Sequence, residues 1–142
     1  MKKLLALVLV AMMALSLVSG AFAEEKQVLT VVTWDANTTP YLVAQEAAFE
    51  TAYPNIDLQY IDVASQDYGI KASSMLSGND TSDVFMIKEV SDLVNWKTQG
   101  FAESLTPYMQ KDNYDVSGFV GMEANYALDG EQYALPFRSD FW

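Results

Sequence analysis

The first half of the chain alternates between two hydrophobic periods, one typical of strands and the other typical of helices. Residues 29–34 are β-branched and aromatic, which predicts a strand. Apolar residues at roughly helical intervals follow Pro40, and Pro54 stops this pattern, so the stretch between the two prolines is a predicted helix. Residues 56–63 then alternate approximately between apolar and polar side chains, which predicts a second strand. The apolar positions of the helix are Leu42, Ala47, Phe49 and Tyr53.

The same succession of elements continues to residue 87. A second helix is predicted over residues 68–76, with the turn-forming residues 77–80 as its end. Residues 84–87 form a short continuous apolar run, which is typical of a strand covered on both faces. The order strand, helix, strand, helix, strand is that of a parallel sheet with right-handed crossovers. The predicted fold class is therefore α/β, a parallel sheet with flanking helices.

Three further elements are predicted in the second half of the chain. Ser91 is expected to cap a helix that runs through Trp96 and ends before Gly100. The dipeptide Asp129-Gly130 between two apolar triplets is a strong signal for a two-residue hairpin. A helical face is also predicted from the spacing of Val116, Phe119, Val120, Glu123 and Tyr126.

The first 23 residues have the order of a secretory signal peptide. Two lysines precede an apolar run over residues 4–18, and Ala21-Phe22-Ala23 is a small-x-small cleavage site. The run is about 15 residues long, shorter than the roughly 20 that span a bilayer as a helix. We therefore expect cleavage between Ala23 and Glu24 and a periplasmic or extracellular protein. A lipoprotein anchor needs a cysteine at the cleavage site, and this sequence has no cysteine.

Composition narrows the possible partners and chemistry. Without the first 23 residues the chain has six basic and 19 acidic side chains and a net charge of −13. We do not expect a nucleic-acid partner for so acidic a chain, because nucleic-acid binding relies on phosphates neutralised by Lys and Arg. The absence of Cys and His excludes disulfides, thiol nucleophiles, Ser-His-Asp triads and imidazole metal sites. We therefore predict no cofactor and no metal, and only carboxylate, lysine or tyrosine chemistry is left for catalysis.

The end of the sequence bears on domain organisation. The 119 residues after Ala23 suffice for one small domain. Residues 137–142 nevertheless have the pattern of a buried strand with no turn or polar tail after it, whereas termini usually lie at the surface. We expect the sequence to be the N-terminal piece of a longer protein.

Candidate ligand-binding residues follow from the predicted sheet, because ligands of open parallel sheets bind beyond the carboxyl ends of the strands. Each candidate place offers charged groups for hydrogen bonds to hydroxyls, and two of the three add large aromatic rings. Stacking together with carboxylate hydrogen bonds suits sugars, which present hydroxyls around apolar C–H faces. The candidates are Trp34 and Asp35 after the first strand, Lys88 and Glu89 after the third, and Arg138 and Asp140 near the end of the sequence.

Several of these residues also have a purely structural interpretation. Trp34 could be a core or hinge aromatic, Asp35 a helix cap, and Lys88-Glu89 a solvated pair. Asp83, just before the third strand, is expected to hold a turn rather than to contact a ligand.

The chain resembles the N-terminal lobe of an extracellular solute-binding protein of family 1, the maltose-binding-like group that delivers sugars to ABC importers. No single motif carries the resemblance, which rests on the order and spacing of four segments. These are LTVVTW (29–34), AAFETAYPNIDLQYIDV (47–63), SDVFMIKEVSDLVNWKTQGFAESL (82–105) and LDGEQYALPFRSDFW (128–142).

The resemblance implies two α/β lobes that close on a ligand in the cleft between them. Residues 1–23 are then a signal peptide, and residues 24–142 are the N-terminal lobe, with the second lobe absent. Its loops suggest Trp34 and Asp35, Lys88 and Glu89, and Arg138 and Asp140 as ligand-binding residues. The implied partners are a sugar and the permease subunits of an ABC transporter, and the implied state is a monomer without catalytic activity.

Two alternative functions stay open at this point. A secreted carbohydrate-active enzyme would need an Asp/Glu pair about 5–10 Å apart, one of the two with a raised pKa. No motif in the sequence places two acids for that purpose. The same fold could also bind a peptide, a polyamine or a metal complex, although Lys88 and Arg138 oppose a cationic ligand.

Overall fold

A computed structural model describes residues 26–137 of the chain. Their strands are β1 (Gln27–Trp34), β2 (Ile56–Val63), β3 (Val84–Phe85), β4 (Ala127–Leu128) and β5 (Glu131–Gln132). Their α-helices are α1 (Pro40–Ala52), α2 (Tyr68–Ser77), α3 (Val90–Thr98) and α4 (Thr106–Asp112). Short 3₁₀ helices cover Ala36–Thr38, Ser65–Asp67, Ser117–Phe119 and Met122–Tyr126.

The central sheet has the order β2-β1-β3, and both pairs of neighbouring strands are parallel. The register of the first pair runs from Gln27 opposite Ile56 to Trp34 opposite Val63. The parallel sheet and the order of its first elements confirm the sequence prediction. Since the strands are parallel, their carboxyl ends lie at one edge of the sheet, which we call the carboxyl edge.

The third strand differs from its prediction. Only Val84 and Phe85 pair with β1, whereas the apolar run predicted a strand over residues 84–87. The expectation of burial on both faces is also wrong, because Val84 is 44% exposed and Phe85 only partly buried. Within residues 26–137, β3 is an edge strand, and a groove of about 560 Å³ with Trp96, Leu135 and Phe137 in its wall runs beside it.

Helices α2 and α3 pack on the sheet and build the core. Val32 of β1, Val63 of β2, Tyr68 and Ala72 of α2, and Trp96 of α3 form one buried cluster. The two helices are also joined by a hydrogen bond of 2.9 Å from the Trp96 indole to the Ser73 hydroxyl. This packing holds both helices against the sheet.

Helix α1 is less buried than its apolar spacing predicts. Leu42 is buried, but Ala47 and Tyr53 are exposed and Phe49 is only partly covered. The ring of Phe49 instead packs on that of Tyr53 at 4.9 Å, along the surface of the helix.

Two predictions for the second half are corrected. Helix α3 begins at Val90 with Glu89 in the N-cap position, so Ser91 lies in its first turn and is not the cap. The turn starts earlier because the Asp92 amide already donates to the Glu89 carbonyl at 3.0 Å. The predicted helical face over 116–126 is split into two 3₁₀ segments because Val120 adopts a left-handed conformation with φ of 54°. Helix α4 was not predicted.

The hairpin prediction is confirmed. Strands β4 and β5 are antiparallel, and the turn residues Asp129 and Gly130 have φ of 54° and 82°. Two successive positive φ angles match the twist of hairpin strands, which explains the Asp-Gly signal. Lys97 of α3 forms an ion pair with Asp129, so the hairpin is tied to the helix layer.

Within residues 26–137, no helix is both long and apolar enough to cross a membrane. The predicted signal peptide, with its cleavage site between Ala23 and Glu24, lies outside the described residues, as does nearly all of the strand predicted over 137–142.

Candidate ligand-binding site

Two of the candidate residues meet at the carboxyl edge. Trp34 is the last residue of β1, and Lys88 follows the chain segment that continues from β3. The Lys88 ammonium lies over the Trp34 ring, 5.6 Å from its centroid. A cation over an indole face is attracted by the ring quadrupole, typically by about 0.5–1 kcal/mol at an exposed site. The fold therefore presents an aromatic ring and a positive charge together.

Lys88 is held in place by a second contact. Its ammonium donates to the backbone carbonyl of Ser65 at 2.7 Å and to the hydroxyl of the same residue at 2.8 Å. Within residues 26–137, Lys88 and Glu89 form no ion pair with each other. Lys88 is thus exposed but anchored, which disfavours the interpretation of a freely solvated pair.

Glu89 lines an open groove next to Lys88. The groove has a volume of about 590 Å³ and lies between the starts of α2 and α3. Ammonium, carboxylate, amide and hydroxyl groups all reach it, so it offers both hydrogen-bond donors and acceptors. Its lining consists of Ser65, Gln66, Gly69, Ile70, Ser73, Lys88, Glu89 and Asp92.

The shape of this groove depends on Gly69. A methyl group on the Gly69 Cα would come within 3.2 Å of a carboxylate oxygen of Asp92. The missing side chain therefore lets the first turn of α2 approach the first turn of α3. Sequence reasoning did not single out either residue.

The loop after β1 places Asp35 in an unusual conformation. Its φ of 53° and ψ of 31° are left-handed, a region that Asp enters more readily than most residues other than Gly. Its backbone carbonyl accepts hydrogen bonds from the hydroxyls of Thr38 at 3.1 Å and Thr39 at 2.6 Å. Asp35 is exposed and makes no side-chain capping bond to the following 3₁₀ helix, so the interpretation as a helix cap is not supported.

A residue missed by sequence reasoning holds this loop. One carboxylate oxygen of Asp62 accepts the Ala36 amide at 3.0 Å, and the other accepts the Asn37 side-chain amide at 2.9 Å. The parallel register explains the contact, because Asp62 lies opposite Thr33 at the end of β1. An acid one residue from the end of a predicted strand was the signal available in the sequence.

Tyr68 lies below the site and was also missed. It is fully buried, and its ring meets Trp34 edge-on with 4.9 Å between the ring centroids. Burial raises the pKa of Tyr68, and the negative charge of Asp92 raises it further, so the hydroxyl keeps its proton at neutral pH.

Asp83 has a structural role away from this edge. Its carboxylate accepts both the backbone amide and the hydroxyl of Thr30 at 2.8 Å, and its own amide donates to that hydroxyl at 3.0 Å. Both hydrogen bonds from Thr30 lower the pKa of the Asp83 carboxyl, the bond from the amide more than the bond from the hydroxyl. Asp83 therefore joins β3 to the middle of β1 rather than facing the candidate site.

The other candidates cannot be placed. Arg138 and Asp140 lie outside the described residues.

Among residues 26–137, no three acidic side chains gather in a way that would hold a metal ion.

Comparison with known sequences gives one family and several relatives. Residues 35–142 match the family described as bacterial extracellular solute-binding protein. A binding protein of Brucella abortus (strain 2308) is 30% identical over 125 residues, which are 88% of this chain and 30% of that protein. A binding protein of Brucella suis biovar 1 matches to the same extent. The chain thus spans about 30% of the length of the curated relatives it matches.

Solved structures resemble the fold. A sugar transporter from Rhizobium etli in an open conformation is 28% identical with a TM-score of 0.72, and the match covers 78% of this chain and 28% of that chain. An ABC substrate-binding protein from Listeria monocytogenes in complex with cycloalternan has 24% identity and a TM-score of 0.66, over 75% of this chain and 28% of that chain. A solute-binding protein from Agrobacterium vitis with bound D-mannitol has 20% identity and a TM-score of 0.62, and the match covers 78% of this chain and 27% of that chain.

Proposed function

Because the chain belongs to the family of bacterial extracellular solute-binding proteins, we propose that it is part of the exported substrate-binding component of an ABC importer. In this proposal the protein captures a mono- or oligosaccharide in a cleft between two lobes and delivers it to the membrane permease. It works as a monomer, without a cofactor and without catalysis. Residues 1–23 direct export and are removed between Ala23 and Glu24.

One observation carries the choice of a sugar. Trp34 and the anchored ammonium of Lys88 stand together at the carboxyl edge, in a chain that is 28% identical to a sugar transporter of the same fold. An indole ring covers apolar C–H faces, and the groups of the adjoining groove suit hydroxyls. The cycloalternan and D-mannitol bound to two structural neighbours support the same substrate class.

The proposed site combines residues from three parts of the chain. Trp34 ends β1 and Asp35 follows it, and Lys88 and Glu89 lie between β3 and α3. Arg138 and Asp140 complete the set as proposed ligand-binding residues from the end of the sequence.

The two alternatives have less support. An enzyme with a carboxylate pair would draw on Glu89 and Asp92, but the family and its structural neighbours are substrate-binding proteins. A cationic solute would have to bind beside the ammonium of Lys88, which repels it.

The test is a ligand panel on the full-length gene product. Calorimetry with maltotriose, cycloalternan and D-mannitol is compared with calorimetry with spermidine and a tripeptide. We expect binding to one or more of the sugars and none to the other probes. Binding of spermidine or the tripeptide, without any sugar, would refute the choice of substrate class. Turnover of a sugar would refute the absence of catalysis.

Two variants then locate the site. Trp34→Ala and Lys88→Met should each raise the sugar Kd at least about fivefold, since a loss of about 1 kcal/mol of contact corresponds to that ratio. The matched control is Lys111→Met, which removes an exposed lysine of α4 that does not line the groove. If both site variants fold and keep the wild-type affinity, the sugar binds elsewhere in the protein.

A further inference from the structure

We propose that Tyr68 is a positioning residue of the sugar site, which sets the spacing and orientation of Trp34 and Lys88 without contacting the ligand. This inference rests on the function proposed above. The residue is fully buried, so any effect it has on a ligand passes through the side chains around it.

The hydroxyl of Tyr68 joins the two strands that carry the site. Its oxygen lies 3.0 Å from the Val32 carbonyl of β1 and 2.6 Å from the Met86 carbonyl beyond β3, so its single proton is shared between these two acceptors. Val32 is two residues before Trp34, and Met86 is two residues before Lys88. The hydroxyl therefore bridges the two chain segments just before each one reaches the carboxyl edge.

This bridge stands where regular pairing stops. The Met86 amide still donates to the Val32 carbonyl at 3.0 Å, but the strand itself ends at Phe85. Without the tyrosine hydroxyl, the partly buried Met86 carbonyl would lose this partner at the point where the segment turns toward Lys88. Loss of a hydrogen-bond partner away from bulk water is costly, so the segment would shift to find another donor.

The ring of Tyr68 fixes the other half of the site. It meets Trp34 edge-on at 4.9 Å and an angle of 64° between the ring planes. Edge-to-face pairs have a preferred geometry, so the tyrosine limits the tilt of the indole. Lys88 lies over the same indole. Tyr68 thus contacts Trp34 through its ring, and its hydroxyl bridges the segments that lead to Trp34 and to Lys88.

The same two strands offer a matched control. The hydroxyl of Thr30 also links β1 to β3, through Asp83, but away from the carboxyl edge. A substitution of either hydroxyl residue removes a link between these strands. Of these two links, the one made by Tyr68 adjoins the proposed site.

The experiment compares Tyr68→Phe with Thr30→Val in the full-length protein. The first readout is the Kd of the sugar that the wild type binds. The second is the ¹⁹F resonance of Trp34 in protein labelled with 5-fluorotryptophan, assigned by its loss in Trp34→Phe. We expect Tyr68→Phe to shift or broaden the Trp34 resonance and to raise the Kd about fivefold. Thr30→Val should lower stability and leave the resonance in place and the Kd within twofold.

The outcomes separate the two proposals. If the wild type binds sugar while Tyr68→Phe keeps both the Kd and the Trp34 resonance, the positioning role is refuted and the sugar-binding function stands. Equal effects of both variants on the Kd would also refute it, since general destabilisation would then explain the change. If the wild type binds none of the sugars, the proposed function fails, and the Trp34 resonance alone decides whether Tyr68 positions the indole.

A second substitution tests the bridge even if Tyr68→Phe does not fold. Replacement of Tyr68 by 4-aminophenylalanine keeps the ring and provides an N–H donor for each of the two carbonyls. It should keep the sugar Kd within twofold of the wild type. A folded protein of this kind with a Kd raised tenfold would refute the role of the bridge.

Discussion

The carboxylate of Asp62 should be the main restraint on the loop that carries Asp35, and Asp62→Ala tests this directly. Two hydrogen bonds end on Asp62, one from the Ala36 amide at 3.0 Å and one from the Asn37 side chain at 2.9 Å. Ala36 is buried, so its amide has few other partners once the carboxylate is removed. We therefore expect the substitution to loosen residues 35–38.

The two bonds contribute unequally to the free energy of unfolding. A buried donor left without its partner costs about 1–3 kcal/mol. Asp62 itself is exposed, and water can reach part of the site, so we take about 1–1.5 kcal/mol for the Ala36 bond. The exposed bond from Asn37 adds about 0.5 kcal/mol. Asn37→Ala, which keeps the Ala36 bond, should accordingly cost about a quarter to a third of the total.

Ligand affinity should change as well, because a loosened loop is competent to bind for only part of the time. The apparent Kd rises in inverse proportion to the fraction of competent molecules, so we expect an increase of about three- to tenfold. The assay is hydrogen exchange across residues 34–40 in the full-length protein, combined with calorimetry of sugar binding. Exchange should become faster in this segment alone.

Asp57→Ala is the matched control for this experiment. It removes the same side chain from the same strand, but at the opposite end, where the carboxylate accepts a hydrogen bond from the Gln59 side chain. Exchange over residues 34–40 should be unchanged in this variant. If Asp62→Ala and Asp57→Ala gave the same exchange and the same Kd, the assignment of the loop restraint to Asp62 would be wrong.

Three shorter predictions concern other features. Asp35→Ala should be about 1 kcal/mol less stable to urea than Asp35→Gly, because alanine is strained at a positive φ and glycine is not; equal stability would refute the left-handed conformation. Hydrogen bonds from Thr30 lower the pKa of Asp83 in the folded protein. The stability that they provide is therefore present above the unfolded pKa of 3.8 and is lost as the pH falls through the lower folded value. Below pH 4 the urea midpoint of Asp83→Asn should fall less steeply than that of the wild type, and parallel curves would contradict this. Mass spectrometry of the exported protein should find Glu24 as its first residue, and an intact N-terminal methionine would refute cleavage after Ala23.

Periodicity predicted the sheet well where local chemistry agrees with the tertiary environment. The pattern of residues 29–34 predicted β1, which begins two residues earlier at Gln27, and the approximate alternation over 56–63 predicted β2. Pro40 and Pro54 mark the helix between them. The two-residue turn at Asp129-Gly130 was also predictable, because its positive φ angles restrict the residues that fit. Each of these signals lies within a few residues of the element that it defines.

The failures arise where distant contacts decide the outcome. The apolar run 84–87 predicted a covered strand, but its pairing depends on a neighbour 53 residues away and extends over only two residues. The left-handed Val120 breaks a helical face that spacing alone supports. A β-branched residue seldom adopts that conformation, so no local rule could find it.

The candidate site shows the same division. Sequence order picked out Trp34 and Lys88, which the fold brings together, because both follow strands. Asp62 acts through the parallel register and Tyr68 through the packing of α2 on the sheet, and these contacts join residues 18–36 positions apart. The position of Asp62 near the end of a predicted strand was a weak signal, and Tyr68 had none. Their roles emerge only from the assembled sheet.

Two of the hydroxyl links between β1 and the segment of β3 have a consequence for protein engineering. One link is made by Thr30 and Asp83, and the other by Tyr68, and neither uses a side chain from residues 35–38 or 88–89. The two links and the recognition loops therefore use different side chains. We expect that loops from relatives of different specificity can replace residues 35–38 and 88–89, which follow these strands, provided that the graft keeps an amide for Asp62 to bind. A library built on this rule varies recognition while the two links stay constant.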